Sequence, residues 1–326
     1  RYGMSDVSGK PSAEPGKTPT GKGSLVASID LTRRQVLAGI AVPGFVVGTY
    51  GGLIEPLAFM NVTRYAPRLP NWPERLKLRI ALIADPHLNN PFMPGKLFRR
   101  FIRRTNELEP DIVMLLGDYA PGHRFTLREY STRAVAELMT EFAAPLGTFA
   151  VMGNHDWWSD PEAPKTKTGP LRQHVQFVER GITALENDAV RLEKDGQPFW
   201  IAGLGDQNAF PDGQGGYYGV DDLPATTARL GDDAPAILMA HEPDIFPHVP
   251  ERYALTVCGH THGGQITIAG YAPVVPSRYG QRYRYGHIIE DGRHLIVSGG
   301  IGCTGLPVRI GVPPEIVLIE LGAGSG

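Results

Sequence analysis

From Leu76 onward apolar and polar positions alternate, with Leu76, Leu78, Ile80 and Leu82 separated by Lys77, Arg79 and Ala81, and the run is then fully apolar up to Asp85. A period of two closing into a continuous apolar stretch predicts a strand that enters a core. Leu97, Phe98, Phe101, Ile102 and Leu108 recur at helical spacing with arginines between them, predicting an amphipathic helix that Pro110 ends. Asp111 to Leu116 predicts a buried strand, residues 127–142 a second helix, and Thr148 to Met152 a third strand. This βαβαβ rhythm implies parallel strands with right-handed crossovers. A further helix is predicted over Leu171 to Arg180. Beyond it, short apolar runs separated by Gly/Pro loops predict strands at Phe199–Leu204, Ala236–Ala240, Ala254–Cys258, Ile266–Ile268, Leu295–Ser298 and Ile316–Leu321. They point to a second, more mixed sheet packed on the first.

Chemistry-bearing residues stand where several of these runs end. Asp85 and His87 lie in a DPH motif, Asp118 follows Gly117, and Asn154, His155 and Asp156 follow Gly153. His241 sits in AHEP, and His260 and His262 in GHTHGG. One such motif occurs by chance in many proteins. Five in order, each on the loop after an apolar run, match the place where α/β sheets build their sites. Carboxylate, imidazole and amide donors without a thiolate suit Mn, Fe or Zn, with Mn favoured. The pattern is that of a two-metal hydrolase. Two ions would generate a hydroxide nucleophile at neutral pH and hold the phosphoryl oxygens of an ester. A carboxylate touching both ions belongs on a tight turn with glycine before it, and Asp118 fits.

The chain has 326 residues, 42% hydrophobic, enough for one large domain, and its formal charge of −2 supplies no basic field to recruit nucleic acid. The 40 glycines and 29 prolines indicate many turns rather than a helical bundle. Cys258 and Cys303 cannot form a disulfide framework, and Cys258 reads first as a buried strand residue, although a single bridge stays open.

The N-terminal part has a different texture. Residues 1–30 are rich in Gly, Ser, Pro, Thr and Lys and read as a disordered leader. Arg33-Arg34 then precede an uncharged run from Val36 to Ile54, so residues 31–56 resemble a twin-arginine export signal or a membrane anchor. Positive charge confined to the N-terminal side of the run implies export across, or anchoring in, the cytoplasmic membrane with the remainder outside the cytoplasm. Residues 57–75 are expected as a linker and 76–322 as the catalytic domain.

The motif set resembles the calcineurin-like metallophosphoesterase family, and the GHTHGGQ tail (Gly259 to Gln265) with the N-terminal segment resembles its exported phosphodiesterase branch. The resemblance implies an α/β fold, a two-sheet sandwich flanked by helices (α/β/β/α), preceded here by the signal or membrane segment. It implies that Asp85, His87 and His262 bind one metal, that Asn154, His241 and His260 bind a second, and that Asp118 bridges them. His155 would contact the phosphoryl group or protonate the leaving oxygen, with Asp156 steering its ring. Pro86 departs from the leucine usual in that branch, at a position that shapes backbone only.

Other residues leave alternatives open. Trp157 and Trp158 could pack on the body, line the cleft or face a membrane. The Arg/Tyr segment Ser277 to Tyr285 could be a solvated loop or a phosphate contact. Gly299 to Gly302 reads as a tight turn, because no lysine or helix start follows it. His123 lies five residues beyond Asp118 on a loop that could reach substrate. The leading function is a phosphodiesterase acting on a phosphoester substrate, with membrane lipid or an envelope component as a possible partner and the twin-arginine translocase as the export partner. A hydrolase of a lipid-linked pyrophosphate or nucleotide-sugar (UDP-diacylglucosamine-like) is the alternative within the same chemistry. A non-catalytic, membrane-tethered metal-binding scaffold is the alternative from another class.

Overall fold

The computed structural model of the protein describes residues 48–322. The first sheet contains β1 (Asn61–Tyr65), β2 (Leu78–Ile83), β3 (Ile112–Leu115), β4 (Thr148–Ala150) and β5 (Thr183–Ala184). The second contains β6 (Asp188–Lys194), β7 (Gln197–Gly203), β8 (Ala236–Met239), β9 (Tyr253–Cys258), β10 (Gly286–Glu290) and β11 (Arg293–Val297). The last strand, β12 (Glu315–Leu321), returns to the first sheet, whose order is β1, β12, β2, β3, β4, β5. The second runs β10, β11, β9, β8, β7, β6. Strands β2, β3 and β4 are mutually parallel, as are β7, β8, β9 and β11, so both sheets deliver their loops from C-terminal strand ends.

Alternation along each strand sorts the core into layers. Ile80, Leu82, Met114 and Ile319 point into the space between the sheets, where they meet Phe199, Ile237, Leu255 and Val257. Their neighbours Ala81, Ile83, Val113 and Leu115 face the helices instead. Those are α1 (Gly95–Glu107), α2 (Thr132–Met139), α3 (Asn154–Ser159) and α4 (Arg172–Val178). The α1 stripe of Phe98, Phe101 and Ile102 is buried as its periodicity predicted.

Four expectations need correction. The run Ile316–Leu321 was expected in the second sheet, yet β12 lies between β1 and β2, parallel to the first and antiparallel to the second. Its continuous apolar run marks both faces as buried but carries no information about its neighbours. The stretch 57–75 contains β1, together with Leu69 and Trp72 buried in the inter-sheet core, so the folded body starts ahead of Leu76. The helix expected over 127–142 is shorter, because Arg128–Glu129 pair with Asn89–Asn90 and Ser131 caps α2 by accepting from the Ala134 amide at 3.2 Å. Ile266 and Ile268 form isolated bridges, to Ile310 and Tyr271, rather than a strand.

The end of the run expected as a signal or anchor is helical over Tyr50–Ile54 and Glu55–Ala58 and packs on the domain. The Gly51 carbonyl accepts from the Arg309 amide at 2.8 Å, and the buried Glu55 carboxylate accepts from the Gly311 amide at 3.0 Å. Among the described residues no helix is long and apolar enough to cross a membrane. Arg33-Arg34 and the start of the apolar run lie outside the described residues.

Candidate metal centre

All five motif loops converge at the C-terminal strand ends. Asp85 and His87 follow β2, Asp118 follows β3, Asn154 opens α3 after β4, His241 follows β8, and His260 and His262 follow β9. Asp85, His87, Asp118, His260 and His262 have φ values of 52°, 41°, 59°, 67° and 51°. Left-handed backbone at non-glycine residues is uncommon and persists where the surroundings impose it, often at functional sites. Here it belongs to the tight turns on which these side chains stand. Glycine is required beside them. A Cβ on Gly117 would lie 2.7 Å from the Gly153 amide nitrogen, and one on Gly153 would collide with the Asp118 carboxylate.

The side chains form two clusters that share Asp118. In one, Asp85 Oδ1 lies 3.8 Å from His262 Nε2, which is 3.1 Å from His87 Nε2. In the other, His241 Nε2 lies 3.2 Å from both Asn154 Oδ1 and His260 Nδ1. Asp118 Oδ2 stands between them, 3.5 Å from His87 Nε2 and 3.4 Å from His241 Nε2. Ligands about 2.1 Å from one ion at right angles are roughly 3 Å apart, so these separations suit shared coordination.

Protonation supports a cation site. His87 Nδ1 faces the Ala120 carbonyl at 2.7 Å and His241 Nδ1 the Leu116 carbonyl at 2.6 Å; each must donate there, leaving Nε2 to point inward. Burial depresses the His87 pKa to about 3, so that ring is neutral and its inward nitrogen is a lone pair. Burial also opposes protonation of His241, but Asp118 outweighs it and raises the His241 pKa well above the ordinary value. Burial likewise works against ionising Asp118, yet His241 and His155 hold its carboxyl well below the usual range. Burial lifts Asp85 to about 7 despite His241, with Asp118 adding to the rise. So dense a set of inward acceptors calls for positive charge, which a proton on His241 supplies only in part. The donor set fits divalent ions.

His155 is beside the clusters, its ring edge-on to His87 with centroids 5.0 Å apart. Its amide donates to Asp118 Oδ1 at 2.9 Å. The expectation that Asp156 steers this ring is wrong. Asp156 is buried and accepts four backbone amides: Oδ1 takes Tyr119 and Ala120 at 2.9 and 3.0 Å, Oδ2 takes Asp118 and Gly153 at 2.9 Å each. It ties the Asp118 loop to the Gly153 turn. Thr304 and Trp158 contact the His155 ring instead. Thr304 Oγ1 donates to the Gly122 carbonyl at 3.1 Å, so it can only accept from His155 Nε2 at 3.3 Å, which places a proton on that nitrogen.

Sequence reasoning missed Thr304 and Arg309. Arg309 is fully buried, donates to the Gly302, Val312 and Gly299 carbonyls, and brings Nη2 to 3.2 Å from His262 Nδ1. A lone arginine in the apolar stretch Leu306 to Val312 was the available signal. The Gly299–Gly302 turn also contributes: the Ile301 and Gly302 amides donate to the Ala84 and Asp85 carbonyls at 3.0 and 2.8 Å, docking it under the first motif. Trp157 packs in the core against Phe210, whereas Trp158 stacks on Tyr217 at the cleft. Arg282 pairs with Glu290 and Arg284 caps loop carbonyls, which leaves Arg278 facing the cleft with Asp244 at 3.3 Å. His123 packs edge-on against Phe92. Cys258 and Cys303 are both free and buried.

Two arms of open space leave the centre. A polar arm of about 400 Å³ is lined by Asn154, Trp158, Tyr217, His260, Ser277 and Arg278. A second, of about 370 Å³, starts at His262 and Thr304. A larger cavity of about 710 Å³, walled by residues such as Leu223 and Ile245, touches none of the motif residues.

A profile of the calcineurin-like phosphoesterase family matches residues 78–264, from β2 through the GHTHGG loop. The chain is 30% identical over 245 residues to the uncharacterized metallophosphoesterase YkuE of Bacillus subtilis, covering 74% of this chain and 78% of that protein. It is 27% identical over 266 residues to an uncharacterized metallophosphoesterase of Aquifex aeolicus, covering 81% and 92%. It is 29% identical over 272 residues to phosphodiesterase YaeI of Escherichia coli, covering 77% and 89%. With its motif loops gathered at the C-terminal ends of two packed sheets, the chain belongs to the calcineurin-like phosphoesterase family and is a metal-dependent phosphoester hydrolase.

Proposed function

We propose that the protein is a two-metal phosphodiesterase, in which Asp85, His87 and His262 hold one ion, Asn154, His241 and His260 hold the other, and Asp118 serves both. One observation carries this reading: a single carboxylate oxygen, Asp118 Oδ2, lies 3.5 and 3.4 Å from the inward nitrogens of His87 and His241. Two divalent ions bound there would acidify a water and neutralise the phosphoryl oxygens. His155 presents a proton-bearing nitrogen at the cleft edge, suited to hydrogen-bond the phosphoryl group or to protonate the departing oxygen. Asp156 holds the Asp118 turn in place from beneath. A diester has two substituents on phosphorus, and two arms leave this centre. The relative named a phosphodiesterase supports the same preference.

The test is turnover of bis-4-nitrophenyl phosphate and 4-nitrophenyl phosphate side by side. Chelation should abolish activity and Mn should restore it at least as well as Mg, since imidazole ligands disfavour Mg. The diester should be the better substrate. Full activity after verified metal removal would refute the two-metal reading, and a strong monoester preference would refute the diesterase reading.

A further inference from the structure

The two arms differ in chemistry. The arm beginning at Asn154 and His260 offers two amides, a hydroxyl, a stacked aromatic pair and Arg278 in its ion pair with Asp244. The arm beginning at His262 and Thr304 is walled by Ile266, Val274 and Leu306, and among the described residues no aspartate, glutamate, lysine or arginine lines it. Val274 and Leu306 are 75% and 53% exposed, and the same loop carries the exposed Ile268 and Tyr271. Apolar side chains left open to water beside a reaction centre call for an apolar occupant. Pro276 borders both arms, so the two adjoin there.

We propose that the His262 arm seats a hydrocarbon chain, so that the substrate is an amphiphilic phosphodiester: tail in the apolar arm, polar group in the Asn154–Arg278 arm. This deepens the phosphodiesterase reading and rests on it. The arm opens beside His262 of the candidate metal bed, within reach of a substituent on a phosphorus held there. Its walls are largely aliphatic, and among the described residues no phenylalanine, tyrosine or tryptophan lines it for a nucleobase to stack on. An alkyl chain asks for neither stacking nor hydrogen bonds, and each methylene fully buried is worth about fourfold in affinity.

The experiment compares methyl and octyl 4-nitrophenyl phosphate as substrates of the metal-loaded enzyme, below the concentration at which the octyl ester forms micelles. In parallel, calorimetry measures binding of methylphosphonate and octylphosphonate. The octyl ester should exceed the methyl ester in kcat/KM by at least about tenfold, and the phosphonates should rank alike. Val274→Asp combined with Leu306→Asp, both at exposed positions outside the catalytic machinery, should bring the ratios close to one while leaving methyl-ester turnover unchanged. Equal kcat/KM and equal affinities in the wild type would overturn the proposal, as would a chain-length preference that survives the double substitution. If the wild-type octyl and methyl ratios are equal, and co-sedimentation with phosphatidylglycerol–phosphatidylcholine vesicles is seen for the wild type but lost in the double variant, the patch docks on a surface and the chain seat is wrong. If neither ester turns over but octylphosphonate still binds preferentially, the chain seat stands and the phosphodiesterase reading falls.

Discussion

At the floor of the cleft, buried groups are held in place by other buried groups. Asp156 accepts the Asp118 amide together with those of Tyr119, Ala120 and Gly153, His87 and His241 are each pinned by a backbone carbonyl, and His262 is backed by Arg309. At the rim, Val274, Leu306 and Arg278 stand largely in solvent. The floor must place several charged or lone-pair atoms within a few tenths of an ångström, which needs packing and satisfied hydrogen bonds behind every ligand. The rim only has to favour one kind of substituent over another, and apolar area does that without exact geometry. Changes at the floor should therefore act on all substrates together, and changes at the rim should separate one substrate from another.

The largest effect expected is from Asp118→Asn, which should remove turnover on every ester, because one carboxylate serves both clusters. Next comes His155→Ala, expected to lower kcat by roughly 10²- to 10⁴-fold while metal content stays at the wild-type level. Equal metal loss in that variant, by elemental analysis, would show His155 to be a ligand and not a proton donor.

Asp156→Asn should cost less, about 10- to 100-fold in activity or metal affinity. The carboxylate shares four amide donors between two oxygens, whereas an asparagine has one acceptor oxygen and would turn its NH₂ toward the remaining pair. Two buried N–H groups then lose their partner, each at about 1–3 kcal/mol. A midpoint of thermal unfolding identical to the wild type would contradict this placement. The smallest effect belongs to the rim: the double substitution at Val274 and Leu306 should leave the methyl ester within about twofold of the wild type, as expected for surface changes. A general loss there would erase the distinction between floor and rim.

The floor was largely legible in the chain, and the rim was not. Asp85, Asp118, Asn154, His241 and His260 each follow an apolar run, and a buried parallel strand ends where function is placed, so position and chemistry point the same way. The apolar runs also marked β2, β3 and β9 as buried strands. What they could not show was which strands are neighbours: β12 carries the same apolar run in either sheet, and β1 lies in a stretch whose composition reads as a linker. Asp156 was given the wrong partner because its targets are backbone amides, which leave no mark in a sequence. Arg309 acts from 47 residues beyond His262, through a contact that only the returning C-terminal loop creates. Val274 and Leu306 were invisible as a pair, since loops distant in the chain bring them to one groove.

Whether one carboxylate organises two ions is read from the metal content of the purified, Mn-loaded wild type and of Asp118→Asn, measured by elemental analysis after removal of free ion. Two ions per wild-type chain and loss of both in the variant are expected. Two ions retained by Asp118→Asn, or a single ion in the fully active wild type, would contradict the shared role of Asp118.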